Sequence, residues 1–349
     1  MTLDRAKVWE FLEHLGTLNS GAALIGVLAV ADRSGLLTAL AAEDWVTPAE
    51  LSRGRFVERY VEEILSALTA GGIIEHNPDD GRFHLPPEHA ACLVDPGSPY
   101  LMAGWFDILP ALMRSVDAVA AVTVHGGGVP IASYDDRVVA GIDRANSPSM
   151  RILLTRKWLP VLPELVARLE AGIRIADIGS GSGAAALTMA RAYPASSVIG
   201  YDIDPRAVGR ARMEANSTDL NNVTFEQLPA ELIPDGFDLI TAFDVIHDLP
   251  DPVRVLSRVK DALLPEGTFF MMEPNAASTL AENMSPYGAL LYGMSVLYCL
   301  PQSLTSEGPG LGTAWGPERA ERLCRDVGFS HFRRLDIENA FSAFYEVKP

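Results

Sequence analysis

Apolar and polar positions keep a helical spacing through the first half of the chain and change to short apolar strands in the second. In "RFVERYVEEILSALTAGG", Phe56, Tyr60, Ile64, Ala67 and Leu68 fall on one helical face, and a double glycine ends the helix. "VTPAELS" before it predicts a helix with Thr47 as N-cap and Pro48 at its first position. "IIEHNPDDGRFHL" after it predicts two short strands around an Asn-Pro-Asp-Asp-Gly turn. Helix, helix and hairpin is the winged-helix order. Residues 96 to 170 read as a helical connector. Its "HGGGVP" (His125 to Pro130) is either a flexible turn or a place where backbone approaches a ligand closely. From Ile173 onward, apolar strands alternate with helices, which predicts a doubly wound α/β sheet. Strands are expected at residues 173–177, 197–202, 223–226, 237–243, 268–273, 331–336 and 341–347. Too few residues join the last two for a right-handed crossover, so they should pair antiparallel.

The expected fold is therefore α/β: a Rossmann-like, seven-stranded, doubly wound sheet with one antiparallel strand, plus an N-terminal, mostly helical winged-helix domain. The expected boundaries are 1–95 for the winged helix, 96–170 for the connector and 171–349 for the α/β domain. That last domain carries an insertion at 276–316.

Charge removes one class of partner. The 349 residues carry a net charge of −17, and Arg55 and Arg59 on the second helix are matched by Glu58, Glu62 and Glu63. A nucleic-acid surface needs a basic face, so the winged helix is expected to serve dimerisation, with no nucleic acid bound. Cys92, Cys299 and Cys324 show no CxxC or Cys–His spacing. No metal site is expected, and a reduced cytoplasm fits this cysteine usage. "MTLDRAKVWEFLEHL" lacks the pattern of a signal peptide. The longest apolar runs, Gly21 to Ala31 and Gly288 to Leu300, are too short to span a bilayer. A cytoplasmic protein off the membrane is the resulting expectation.

"IRIADIGSGSGAAALTMA" is a strand, a glycine turn and a helix. Gly179, Gly181 and Gly183 let backbone approach a ligand at the carboxyl end of the first strand, where open α/β sheets bind cofactors. Asp202, followed by Ile203, ends the next strand and can accept hydrogen bonds from both hydroxyls of a ribose. A nicotinamide dinucleotide site usually spaces its glycines GxGxxG. Here the spacing is GxGxG after Asp177, whose carboxylate suits the ammonium group of S-adenosylmethionine. That cofactor is favoured over NAD.

At these residues the chain resembles the class I S-adenosylmethionine-dependent methyltransferases, and among them small-molecule O-methyltransferases with an N-terminal winged-helix dimerisation domain. The resemblance rests on "TPAELS…LSALTAGGIIE", "DIGSGSG", "YDIDP" and "IHDLPDP…LLPEGTFFMMEPN". It implies a homodimer, a general base at His247 and an orienting carboxylate at Glu273. Two departures stand out. Leu228 and Pro229 occupy the place where an acid often meets the adenine, so stacking on Leu228 and Phe243 would take over that role. Thr313, Ala314 and Trp315 occupy the place of a further acid in plant members.

His247 follows the fourth strand on the sheet edge of the glycine loop, where an imidazole can take a hydroxyl proton near neutral pH. The competing reading is a helix-capping loop, with Asp248 or Asp251 satisfying backbone amides. Asp248 is read as structural and Asp244 as a cofactor-pocket residue. Tyr134, Met150, Met284, Tyr287, Tyr292 and Trp315 are expected to line a lid over a small-molecule acceptor. The acceptor atom stays open between oxygen, sulfur, nitrogen and carbon. A winged-helix regulator that senses S-adenosylmethionine is the reading outside enzymology.

Overall fold

The computed structural model describes residues 3–349, so Met1 and Thr2, at the start of the expected N-terminal domain, lie outside the described residues. The chain divides into two units. One holds the residues up to Met113 together with Asp136–Ser149, the other Arg114–Asp135 together with Met150–Pro349.

In the first unit the predicted winged-helix elements are present. Thr47 caps helix Pro48–Ser52 through a reciprocal box: its Oγ1 accepts from the Glu50 N–H at 3.2 Å, and Glu50 accepts from the Thr47 N–H at 3.0 Å. Helix Glu58–Ala70 follows, then the antiparallel hairpin of β1 (Glu75–Asn77) and β2 (Arg82–His84). Leu37, Leu40, Leu65, Leu68 and Phe83 form the core between them. On helix Glu58–Ala70 the Arg59 guanidinium is paired with Glu63 and lies 3.8 Å from Glu62, so its charge is spent within the helix.

The first helix, Arg5–Arg33, corrects one expectation. At 29 residues it is long and apolar enough to cross a membrane, as is the segment Trp105–His125. Counting uninterrupted apolar runs missed this, because the helix interleaves polar residues with apolar ones. Its C-terminal part is anchored by Leu28, Ala29 and Ala31, whereas every residue from Leu3 to Ala23 is exposed. Arg144 reaches Asp32 at 2.7 and 2.8 Å and Asp107 at 3.1 Å, tying the anchored end to helix Trp105–Leu112.

In the second unit seven strands form one sheet: β3 (Arg174–Ile178), β4 (Ser197–Asp202), β5 (Val223–Gln227), β6 (Phe237–Phe243), β7 (Leu263–Pro274), β8 (His331–Arg334) and β9 (Ser342–Lys348). Their order is β5-β4-β3-β6-β7-β9-β8, and only β9 runs antiparallel to its neighbours. Two strands match their predicted bounds, whereas β7 begins at Leu263 instead of 268. Side chains alternate across the sheet as the strand period requires. Phe270, Met272 and Phe344 pack on one face with Trp158 and Leu187. Phe269, Met271 and Tyr345 pack on the other with Leu256 and Trp315. The triple glycine is a close approach, but to this chain's own backbone: a Cβ on Gly128 would lie 2.2 Å from the Pro301 carbonyl oxygen.

Gly104 sits where helix Trp105–Leu112 begins, and a Cβ there would lie 2.2 Å from the Gly141 carbonyl oxygen and 2.5 Å from the Ala145 nitrogen. Backbone cannot yield as a side-chain tip can. Gly104→Ala is expected to cost about 1–3 kcal/mol and to lower the melting temperature by several degrees, read by thermal denaturation.

Candidate active site

Parallel pairing brings the carboxyl ends of β3, β6 and β7 side by side. Asp177 lies opposite Thr241, and Phe243 opposite Met272. The glycine loop leaves β3 at this edge. Gly179 and Gly183 have φ of 62° and 87°, and a Cβ on either would fall 2.5 Å from Val245 or Phe225 side-chain carbons. Both positions therefore need glycine for conformation and for space. Gly181 faces open space, and its N–H donates to Asp202 Oδ2 at 2.8 Å. Asp202 Oδ1 accepts from the Asp204 N–H at 2.8 Å, so both carboxylate oxygens brace the turn.

Beneath the loop, Asp177 is 1% exposed. Its Oδ1 accepts from the Thr241 hydroxyl at 2.6 Å, while Oδ2 is buried with no hydrogen-bond partner among the described residues. Burial pushes this carboxyl up to about 7, against the Thr241 hydrogen bond and with the nearby Asp202 charge adding to the rise. A buried carboxylate oxygen without a donor is a place for a cation or an N–H group from outside the chain. The ammonium of S-adenosylmethionine fits that demand, and the glycine loop fits its backbone approach.

The other sequence-predicted cofactor residues surround the same edge in different degrees. The Leu228 N–H donates to the Asp202 carbonyl at 3.0 Å, which places its side chain beside the second strand end. Ile203 is 60% exposed. Phe243 packs edge-on against Phe270 at 6.1 Å, so part of its ring belongs to the core. Asp244 is the single non-glycine with positive φ, 56°, among the described residues. Its N–H donates to the Met272 carbonyl at 2.9 Å, and burial raises its carboxyl to about 7. Strained backbone of this kind persists only where neighbours enforce it, and it collects at functional edges.

His247 and Glu273 meet as the resemblance implied. His247 Nδ1 lies 2.6 Å from Glu273 Oε2, with the side chains 4% and 1% exposed. The second carboxylate oxygen accepts from the Ile246 N–H at 2.9 Å, and Trp315 Nε1 donates to Oε2 at 3.2 Å. With Nδ1 committed to the carboxylate, Nε2 is the ring nitrogen left for another partner. It faces Asp248 Oδ1 at 3.2 Å. Burial disfavours the imidazolium, but the Asp248 and Glu273 charges outweigh it and hold His247 well above its ordinary range.

Of the two carboxylates offered as caps, one takes that role. Capping of helix Pro252–Ala262 falls to Asp251, whose carboxylate accepts from the Arg254 N–H at 2.9 Å. Asp248 is thereby free to turn toward the imidazole. His247, Asp248 and Cys299 offer atoms that all lie within 4.8 Å of one another. Cys299 ends a single π-helical turn, Ser295–Cys299, that interrupts the helical stretch begun at Pro286. Tyr298 beside it meets Tyr134 edge-on at 5.0 Å, and the Tyr134 hydroxyl donates to the Leu297 carbonyl at 3.1 Å.

The expected acceptor residues separate on this geometry. Tyr134 joins the group around His247. Trp315 serves the Glu273 carboxylate. Tyr287 donates to the Phe341 carbonyl at 2.7 Å, and Tyr292 accepts from Asn283 at 3.4 Å. Met150 packs in the core with Leu154 and Trp158, and Met284 is 76% exposed, outside the group. Tyr298 lies in the insertion expected to form the lid, whereas Thr241 and Cys299 escaped the sequence reading. Thr241 sits in an apolar strand and Cys299 in an apolar run, so neither interrupts the local pattern.

Comparison with known proteins agrees with this edge. A model described as "Methyltransferase domain" matches residues 169–304, and one described as "Rv2258c-like winged HTH domain" matches residues 22–95. A 3-hydroxy-5-methyl-1-naphthoate 3-O-methyltransferase of Streptomyces sahachiroi is 26% identical over 283 residues, 77% of this chain and 78% of that one. A ubiquinone biosynthesis O-methyltransferase of Leptothrix cholodnii is 24% identical over 182 residues, 50% of this chain and 72% of that one. The structure of human N-acetylserotonin methyltransferase in complex with S-adenosylmethionine shares the fold, with a TM-score of 0.67 at 19% identity over 99% of both chains.

A carboxyl that titrates near 7 gives the crevice a pH signature. The ionised form of Asp177 binds an ammonium, and the protonated form must first lose its proton. Affinity for S-adenosylmethionine should therefore weaken as pH falls below about 7, approaching tenfold per unit. Asp177→Asn should bind weakly and lose this dependence, both read by calorimetry across pH. The methyltransferase-domain match covers the residues that build this crevice and the winged-helix match lies before it, so the chain carries an S-adenosylmethionine-dependent methyltransferase domain behind an N-terminal winged helix-turn-helix domain.

Proposed function

We propose that the protein methylates a hydroxyl group of a small molecule, with His247 as the general base. The observation that carries this reading is the 2.6 Å contact of His247 Nδ1 with a carboxylate that two further donors hold in place. S-adenosylmethionine supplies a methyl group already activated by the sulfonium charge. What remains for the protein is to orient the acceptor and remove its proton. Asp248 and Glu273 favour the charged ring, so His247 must first shed its Nε2 proton; the neutral Nε2 then accepts the proton of the hydroxyl, and the two carboxylates stabilise the imidazolium that forms. Tyr134 and Tyr298, with the segment 276–316, cover the acceptor and exclude water from it. The names of the relatives, a ubiquinone biosynthesis O-methyltransferase and a 3-hydroxy-5-methyl-1-naphthoate 3-O-methyltransferase, support an oxygen acceptor.

His247→Ala is expected to keep cofactor binding and to lose roughly 10²-fold or more in turnover. The measurement is methyl transfer from labelled S-adenosylmethionine to a mixed panel of phenols, alcohols, thiols, thioethers and amines. Turnover near the wild-type value in a folded variant would remove the base, and transfer confined to thioethers or amines would remove the hydroxyl.

We also propose a cytoplasmic homodimer joined through the first helix. Trp9, Phe11, Leu12, Leu15 and Leu18 are 67%, 59%, 47%, 37% and 56% exposed. Their own unit leaves the helix bare on every side from Leu3 to Ala23, more apolar surface than a lone chain usually shows to water. The acidic net charge disfavours an anionic lipid surface as the cover, and a second copy of the same helix supplies a matching apolar face. Light scattering should give twice the chain mass for the wild type and the single-chain mass for a Trp9→Glu, Phe11→Glu variant. A monomeric wild type would count against the dimer.

A further inference from the structure

His247, Asp248 and Cys299 belong to segments whose spacing in sequence gave no sign of a metal site. In space, one ring nitrogen, one carboxylate oxygen and the sulfur all lie within 4.8 Å of one another, and Nε2 and Oδ1 are 3.2 Å apart. Two ligands held tetrahedrally at zinc–nitrogen and zinc–oxygen lengths stand about 3.3 Å apart. Asp248 Oδ1 is buried, and the groups that face the Asp248 carboxylate are the His247 ring and the Cys299 thiol. Glu273 on Nδ1 completes the carboxylate–histidine arrangement that usually stands behind a metal-bound imidazole, fixing the ring and directing Nε2 outward. The Ile246 N–H and Trp315 Nε1 in turn hold that carboxylate. Cys299 is 4% exposed and the Asp248 side chain 26% exposed, so the group is enclosed on the thiol side and open on the carboxylate side.

We infer that His247 Nε2, Asp248 Oδ1 and Cys299 Sγ form a binding site for one soft divalent cation of the Zn²⁺ class. One imidazole, one carboxylate and one thiolate match the ligand chemistry of zinc and are unlike the all-oxygen shells of magnesium and calcium. Three protein ligands leave the fourth position open. As the metal bonds form, the Cys299 thiol and the protonated His247 Nε2 each give a proton to solvent. The ion takes the Nε2 lone pair, so metal binding and proton removal at His247 exclude each other. This last consequence rests on the reading of His247 as base, whereas the site itself does not.

The test uses the full chain, freed of metal by chelation and titrated with Zn²⁺ and with Co²⁺. The wild type should bind one ion per chain and show thiolate-to-cobalt charge-transfer absorption in the near ultraviolet. Its methyl transfer should fall in proportion to Zn²⁺ occupancy. Cys299→Ala should lose the absorption band and bind at least tenfold more weakly. Asp248→Asn, which keeps the side-chain shape, should weaken binding in the same direction and carries the test if the cysteine variant fails to fold. No one-to-one binding by the wild type, or an unchanged cobalt band in Cys299→Ala, would overturn the site. Turnover that holds or rises at full occupancy would overturn the exclusion. If metal-free His247→Ala remains active, the base reading fails, and the cobalt band still decides the site.

Discussion

One buried carboxylate organises the reactive edge of this molecule. Glu273 ends its long strand 1% exposed, where an unpaired charge would be costly, and three donors compensate it: the Ile246 N–H, the His247 ring and the Trp315 indole. These come from a neighbouring strand end and from the insertion that follows β7. The carboxylate therefore joins β6, the turn after it and the covering segment to one point. If it were lost, the His247 ring would be free to turn, and the orientation of Nε2 would no longer be set by the fold.

The sheet makes that point possible and places the cofactor crevice next to it. β3, β6 and β7 run parallel, so Asp177, Asp244 and Glu273 all reach the same edge without long loops. Asp177 then lies under the glycine turn with one oxygen committed to Thr241 and the other left for a ligand. Between the two sites the backbone bends at Asp244, whose φ of 56° costs energy that the Met272 hydrogen bond and the surrounding packing offset. The glycine-loop crevice and the His247–Glu273 pair are thus held at neighbouring strand ends, with one strained residue between them.

Neighbouring residues decided most of what was legible beforehand. The strand period marked all seven strands of the sheet, and the bounds of β4 and β6 fell where the apolar pattern placed them. The Thr47 cap and the glycine turn were readable because their chemistry lies within a few residues. Cofactor class followed from the same local spacing. The motif around His247 and Glu273 was also visible, although its two halves lie at the ends of different strands.

Other features were decided by segments that meet only after folding. Asp248 and Asp251 are equivalent as sequence. Helix Pro252–Ala262 takes Asp251 as its cap, and that leaves Asp248 facing the imidazole. Cys299 reaches the same place because a π-helical turn shifts the helical register just before Pro301. Thr241 finds Asp177 through the pairing of β3 with β6, and Trp315 finds Glu273 across the whole insertion. The first helix shows the same division from the other side, since its apolar residues were legible and the exposure of residues 3–23 was not. Periodicity and caps arise from contacts within one or two turns of chain, so the sequence by itself determined the elements and the cofactor. Contacts across tens of residues depend on how the strands pair and where a helix changes register, so the tertiary structure alone decided what surrounds His247 Nε2.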